Sequence, residues 1–196
     1  MKRVNKPMKR RRNNAGRLLA AALAALLLAG ACPAAAFASQ GRSLTISTRE
    51  ELADFAARCA SDSYSKGLTV YLAADLDLEG ASVSVPIFLG TFEGGGHTLR
   101  GLSLTESASV YGLFSQVAAG AVIRDLRVAG EVAPGGTQST VGGIAGENRG
   151  TIDNCAFSGV VSADSLVGGI AGVNRTGGTL RGCTVTGAVG GDSGTG

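Results

Sequence analysis

The chain has no tryptophan, one histidine, four prolines, and aromatic side chains at only 5% of its positions. With His97 as the sole histidine and no two cysteines close in sequence, no zinc-binding spacing can be assembled. The same scarcity excludes the paired-histidine helix of zinc peptidases. Cysteine is scarce too: Cys32 falls in the leader described below, which leaves Cys59, Cys155 and Cys183. An odd number of cysteines in an exported chain argues against a disulfide framework. Basic charge is also short where it would matter. Eight of the 18 basic residues and none of the 15 acidic ones precede Ser39, so the remainder sets ten basic against 15 acidic side chains, a net of −5. That remainder has one lysine, Lys66, and no Lys/Arg cluster with interleaved aromatics, which excludes the electrostatic footprint of a nucleic-acid binder. A mild acidic excess serves solubility.

The leader itself has three parts. Lys2, Arg3, Lys6 and Lys9 to Arg12 are followed by an apolar run of Leu, Ala and one Gly from Leu18 to Ala31, and then by Ala36-Phe37-Ala38. This is the pattern of a secretory signal peptide over residues 1–38, with cleavage expected after Ala38. An uncleaved anchor is the alternative, because apolar character runs on to Ala38. Arg11-Arg12 is followed by Asn13-Asn14 and a very apolar core, which favours ordinary secretion over a twin-arginine route. Lipid attachment at Cys32 is disfavoured by alanine at position 29, where a lipid-attachment box carries leucine. No membrane association is expected after cleavage, and residues 39–196 suffice for one domain with its own core.

Residues 39–109 read as an N-terminal cap and first coils. Leu44 to Ile46 predicts a strand, and Thr48 three residues before Glu51 forms a capping box at a helix start. Leu52, Phe55, Ala56, Cys59 and Ala60 then recur at helical spacing, one apolar stripe of what is expected to be the only helix of the exported chain. Cys59 on that stripe is expected to be a small core residue. Beyond Gly67 the period becomes two: Leu68, Val70 and Leu72 alternate with Thr69 and Tyr71, and Leu76 and Leu78 alternate with Asp75, Asp77 and Glu79. Short strands follow at Val83 to Phe88, Gly90 to Phe92, His97 to Leu99, and Leu102 to Leu104. Frequent glycine, and the lack of Asn-Gly or Asp-Gly hairpin turns, favour parallel stacking over long hairpins.

Residues 110–189 contain a repeat. VGGIAGENRGTIDNCAFSGVV, from Val141, is rewritten as VGGIAGVNRTGGTLRGCTVTGAV from Val167, offset by 26 residues and then by 28 after a two-residue insertion around Thr176-Gly177. A weaker copy precedes them, with Val110 to Gln116 aligned on Val141 to Glu147 and Ile123 to Val132 aligned on Ile152 to Val161. Leu113, Ile144 and Ile170 then share a position, as do Leu126, Cys155 and Cys183; so do Val128, Phe157 and Val185, and Gly130, Gly159 and Gly187. In coils that stack at about 4.8 Å, such positions become ladders, aliphatic in the core and glycine at the corners.

The Gly-Gly-Ile-Ala-Gly-x-Asn-Arg, Ile/Leu-x-x-Cys and Gly-x-Val spacing from Val141 to Val189 resembles the GLUG repeat of large secreted or surface-attached bacterial proteins, adhesin-like chains and some immunoglobulin A peptidases among them. Leu72 to Leu78 and Gly90 to Leu99 are similar to the segment that precedes those repeats. The resemblance implies an all-β, right-handed parallel β-helix with a short N-terminal capping α-helix. Two departures from it matter. Tyr111 and Phe114-Ser115 stand where later copies have small residues, so a wider or differently cornered turn is expected there, and the peptidases' catalytic domain is absent from this sequence.

Candidate chemistry is sparse. His97 has no serine or cysteine beside it in an activating motif. Asp75, Asp77 and Glu79 offer either a calcium-binding face or a solvated one, and the solvated face is favoured because no calcium repeat recurs. Asp125, Asp153 and Asp164 fall at different register positions, unlike the convergent acids of polysaccharide-cleaving enzymes. Asn148 and Asn174 share a register and are expected to bond up the ladder at a left-handed corner. Arg149 and Arg175 stack as solvated charges that could meet an acidic glycan. Cys155 and Cys183, one coil apart, are read as packed thiols, with a disulfide as the alternative. No catalytic, cofactor-binding or metal-ligating residue is assigned.

The expectation is an exported, non-catalytic scaffold at the cell surface or outside the cell, with host or matrix glycans or surface proteins as partners. The differences between copies, Glu147 against Val173 and Asp153-Asn154 against Arg181-Gly182, are where a partner would be read. Rival readings are a polysaccharide-active enzyme, or the front of a longer adhesin or peptidase, since residues 190–196 are Gly-rich and offer no cap for the last coil. The chain would then be a monomer or one part of a longer solenoid.

Overall fold

A computed structural model describes residues 41–61, 63–136 and 139–191. The signal-peptide reading of residues 1–38, Cys32 with it, and residues 192–196 of the Gly-rich end lie outside the described residues. Among those described, the one helix spans Arg49–Arg58. Thr48 Oγ1 accepts from the Glu51 amide at 3.2 Å, and Glu51 Oε2 accepts from the amides of Thr48 at 3.2 Å and Ser47 at 2.7 Å. These bonds satisfy donors that a helix start otherwise leaves open. Four residues of the predicted stripe, Leu52, Phe55, Ala56 and Cys59, are buried, whereas Ala60 lies past the helix end and is exposed.

Among the described residues, every paired strand pairs in parallel. Each turn of the chain adds one strand to each of several sheets, so the protein is a β-solenoid, a parallel β-helix with one short helix. The first sheet stacks Arg42–Ile46, Leu68–Leu72, Thr91–Glu93, Val122–Arg124, Thr151–Asp153 and Thr179–Arg181, in that order. The second stacks Leu76–Asp77, Thr98–Leu104, Arg127–Val132, Ala156–Ala163 and Thr184–Gly191. A third holds Val110–Tyr111, Thr140–Gly142 and Leu166–Gly168, and a fourth holds Val85–Phe88, Phe114–Val117, Ala145–Asn148 and Ala171–Asn174.

Alternation along each strand sends one residue in and its neighbours out. In the first sheet Leu44, Val70, Phe92, Ile123, Ile152 and Leu180 form one column, with Val70, Phe92, Ile123 and Ile152 all fully buried. In the second, Leu99, Val128, Phe157 and Val185 stand in register. Each fully buried side chain of this size contributes roughly 1.5–3 kcal/mol relative to exposure. Phe55 of the helix packs on Phe88 at 6.2 Å and Phe92 at 6.4 Å between ring centroids, so the helix extends the core past the first coil.

Three expectations change. The alignment of the earliest copy is shifted by one residue in the third sheet, where Tyr111 pairs with Val141 rather than Gly142, while Phe114 pairs with Ala145 as expected. Gly112 and Leu113 alone join Tyr111 to Phe114, whereas Gly142, Gly143 and Ile144 join Val141 to Ala145, so the earlier corner is built differently, one residue shorter rather than wider. Phe114 fills the space with a ring, 5.2 Å from Phe88 and 5.4 Å from Phe92. Next, His97 to Leu99 and Leu102 to Leu104 belong to a single strand, Thr98–Leu104, whose irregular register against Arg127–Val132 is absorbed at Gly101 with φ +70°. Finally, Gly130, Gly159 and Gly187 lie inside strands of the second sheet, and pairing runs through them.

Candidate functional site

The outward face of the first sheet carries a column of alternating charge. The last residues of its four later strands are Glu93, Arg124, Asp153 and Arg181, each one coil above the last in register. Because Phe92, Ile123, Ile152 and Leu180 point inward, their neighbours must point out. Arg124 donates Nε and Nη2 to the two Glu93 carboxylate oxygens, each at 2.5 Å. Arg181 grips Asp153 in the same two-pronged way, at 2.9 and 2.6 Å. The Arg181 bond holds the Asp153 carboxyl below its ordinary value, and the Asp153 bond raises Arg181 in turn. Planar guanidinium matches carboxylate geometry, and each coil's charge is answered by its neighbour's.

A second cluster lies on the fourth sheet. Glu147 accepts from Arg175 Nη2 at 2.5 Å and sits 3.6 Å from Arg149 Nη2. The Arg175 bond is the main cause that lowers the Glu147 carboxyl below its usual range. Ile87, Gln116, Glu147 and Arg149 help line a groove of about 440 Å³ here. Arg149 and Arg175 therefore converge on Glu147; they are not two free solvated charges. The differences between copies, expected to face a partner, are largely occupied: Glu147 binds Arg175, and Asp153 binds Arg181.

The remaining candidates are dispersed. His97 Nδ1 lies 3.3 Å from Asp75 Oδ1, the oxygen that also accepts the Thr98 amide at 2.9 Å. That backbone bond is the first cause of the lowered Asp75 carboxyl, so the aspartate ties two coils together. Asp77 accepts from the Glu79 amide at 2.9 Å and from Arg100 Nε at 3.3 Å, while Glu79 pairs with Arg49. The three carboxylates thus face three different partners, and no group of metal-ligating side chains gathers among the described residues.

Asn148 and Asn174 stand in register and are bonded, but neither has positive φ, so the expected left-handed corner is not theirs. The left-handed corner belongs to Asp125 (φ +54°), Asn154 (φ +50°) and Gly182 (φ +61°), each just past the charged column. Asp, Asn and Gly are the residues that tolerate this conformation, and Asn154 Nδ2 donates to Asp125 Oδ1 at 2.5 Å. Cys155 and Cys183 are free thiols aimed at backbone carbonyls, Cys155 at Asp153 O (3.2 Å) and Cys183 at Arg181 O (3.3 Å). Burial pushes the Cys155 thiol up to about 12 and Cys59 to about 11.

Sequence reasoning missed the charged column, though the signal was present. Aligning Ile123 with Ile152 places Arg124 beside Asp153, and extending that register in both directions adds Glu93 and Arg181.

The terminal coil completes the geometry. Leu180, Val185 and Val189 are 40%, 42% and 45% exposed, while Ile152, Phe157 and Val161 directly below them are 0%, 1% and 0%. No described helix is long and apolar enough to cross a membrane. No family model matches the chain, and no solved structure matches it. Over 97 residues the chain is 33% identical to halomucin of Haloquadratum walsbyi (strain DSM 16790 / HBSQ001), a match that covers 49% of this chain and 1% of that protein's length.

Proposed function

We propose that this chain is an exported, non-catalytic β-solenoid module that serves as an adhesion or binding scaffold at the cell surface or outside the cell. The observation that carries the reading is the charged column. Acid–base catalysis on a β-helix calls for carboxylates left free to meet a substrate, whereas Glu93 and Asp153 are each bound in bidentate fashion to an arginine of the next coil. The positions shared between copies are aliphatic, small or turn-forming, which is what stacking demands. The secretory leader and the GLUG-like spacing support export, and the partial likeness to halomucin is compatible with a surface role.

The partners in this reading are glycans or surface proteins, met along the long side of the solenoid. The test is to express residues 39–196, immobilise the protein and probe it with arrays of host and matrix glycans and with polysaccharide substrates. Saturable retention of a glycan or surface protein without cleavage is expected. Reproducible polysaccharide cleavage that is lost on Asp153→Asn or Glu93→Gln would overturn the non-catalytic reading.

A further inference from the structure

The corner that leaves the fourth sheet differs in length from coil to coil. Leu89 and Gly90 alone join Phe88 to Thr91, and Arg149 and Gly150 alone join Asn148 to Thr151, whereas Ala118 to Ala121 join Val117 to Val122. That longer corner is a turn closed by the Ala121 amide, which donates to the Ala118 carbonyl at 3.0 Å. Strand pairing fixes both of its ends, so the two extra residues project as a lip, with Ala119 and Gly120 exposed. The lip stands beside the groove of about 440 Å³, a volume within the range of small-ligand clefts, roughly 300–1,000 Å³. Every residue that lines the groove belongs to a coil with another described coil above it.

Ile87, Gln116 and Glu147 stand in register along the groove, an aliphatic, an amide and an acid on successive coils, and Ala118 and Ala119 of the lip add apolar surface. Arg175 holds the Glu147 carboxylate by a hydrogen bond at 2.5 Å, but Arg149 reaches it only at 3.6 Å, an attraction without a hydrogen bond. The Arg149 side chain is 58% exposed, and its guanidinium donates no hydrogen bond to any described residue. Gln116 is exposed as well, and its side-chain amide is bonded to no described residue. The groove thus sets two cations against one carboxylate and leaves a planar fork of donors facing solvent beside apolar carbon.

We propose, resting on the reading of the chain as a glycan-binding scaffold, that this groove binds a carboxylate-bearing sugar of an acidic glycan. The Arg149 fork takes the carboxylate in the two-pronged geometry that Arg124 uses on Glu93 and Arg181 on Asp153. The Gln116 amide, donor and acceptor at once, meets ring hydroxyls, and Ile87 with Ala118 and Ala119 lies against the C–H face of the ring. An acidic polypeptide fits less well. The strands that carry Gln116 and Glu147 are paired on both sides, so they offer no main-chain edge to an extended segment.

The test titrates the purified chain by calorimetry with three trisaccharides of one backbone, a glucuronic acid trimer, a glucose trimer and a glucose trimer sulfated on its primary hydroxyls, and with hexaglutamate. The glucuronic acid trimer is expected to bind about tenfold or more tightly than the glucose trimer, and hexaglutamate not to bind. The sulfated trimer should bind about threefold or more weakly than the glucuronic acid trimer, because a tetrahedral sulfate does not match the planar fork as a carboxylate does. Arg149→Gln should cost the glucuronic acid trimer about tenfold, and Arg149→Lys, which keeps the charge without the fork, about threefold. Lys66→Gln removes an exposed cation elsewhere and should change nothing, and all three variants should keep the parent's circular dichroism. No binding by any trimer, equal affinity for the glucuronic acid and glucose trimers, or equal or tighter binding of the sulfated one would each overturn the proposal. So would binding of hexaglutamate in place of the sugars, or glucuronic acid binding that survives Arg149→Gln. Array glycans retained equally by the parent and by Arg149→Gln would overturn this site alone, whereas a parent that retains no glycan or surface protein would overturn the adhesion reading with it.

Discussion

Asn148 donates from Nδ2 to the Oδ1 of Asn174, one coil above it, at 2.8 Å, and its own Oδ1 accepts the Gly150 amide at 3.1 Å. The lower asparagine is fully buried and the upper one is exposed, so the same residue type does unequal work at equivalent positions. Asn148→Ala strands a buried backbone donor, and the expected loss is about 1–3 kcal/mol of unfolding free energy. Asn174→Ala is expected to cost less than half as much, because water reaches its partners. Urea midpoints of the two variants check this, and equal losses would contradict the assignment of the ladder's strength to its buried rung.

Gly159 sets a steric limit on the second sheet. A Cβ built there lies 1.9 Å from the Gly130 carbonyl oxygen, at a φ of +142° that side-chain-bearing residues rarely adopt. Neither coil can move away without breaking the pairing on both sides. Gly159→Ala is therefore expected to cost more than about 3 kcal/mol and to broaden or abolish the cooperative transition. Gly190→Ala, where nothing lies within 4 Å, is the matched control and should stay within about 0.5 kcal/mol. Thermal unfolding followed by circular dichroism separates the two.

Most of the architecture was legible because stacking repeats the same demand. Ile123 and Ile152 must align if both are to be buried, and Gly130, Gly159 and Gly187 align because each sits over the carbonyl below. The Thr48 cap was equally readable, since a capping box is local. What escaped were features in which two coils differ. Likeness alone sets Tyr111 one residue out of register, because a one-residue deletion in a corner leaves both flanking strands with acceptable alternation. Residue type alone points to Asn148 for the left-handed corner, while Asp125 and Asn154 adopt it because of where the strands end. The ion pairs escaped because they join unlike residues, and a repeat is found by likeness.

Acid should loosen the solenoid from its surface inward. Glu147 is lowered by Arg175, Asp153 by Arg181, Glu50 by Arg49, and Asp75 by the Thr98 amide. Each folded value lies below the ordinary 4.5 or 3.8, so the unfolded chain takes up protons first as pH falls. Their stabilising contribution is present in full above those ordinary values and is lost as pH drops through them toward the folded ones. Urea midpoints should show no dependence on these groups between pH 8 and 6 and should decline below about pH 5. Glu147→Gln is expected to lower the midpoint at pH 7 and to flatten the acid decline. An unchanged slope would remove Glu147 from the account.

Thiol reactivity tests whether the last coil is as open in solution as its side chains imply. Cys155, at 1% exposure, and Cys59, at 0%, have thiols pushed up to about 12 and about 11 by burial. At pH 8 a thiol of pKa 11 is ionised only about one part in a thousand, and the thiolate is the species that reacts. Cys183 is half-buried and stands on the last described coil, directly above Cys155. Iodoacetamide at pH 8 should therefore label Cys183 in the native chain well before the other two, with all three labelled at similar rates in urea. Mass spectrometry of the digested protein reads the order. Labelling of Cys155 as fast as Cys183 would mean that the terminal coil frays and uncovers the one beneath, and a linked Cys155–Cys183 peptide would replace the two packed thiols by a disulfide.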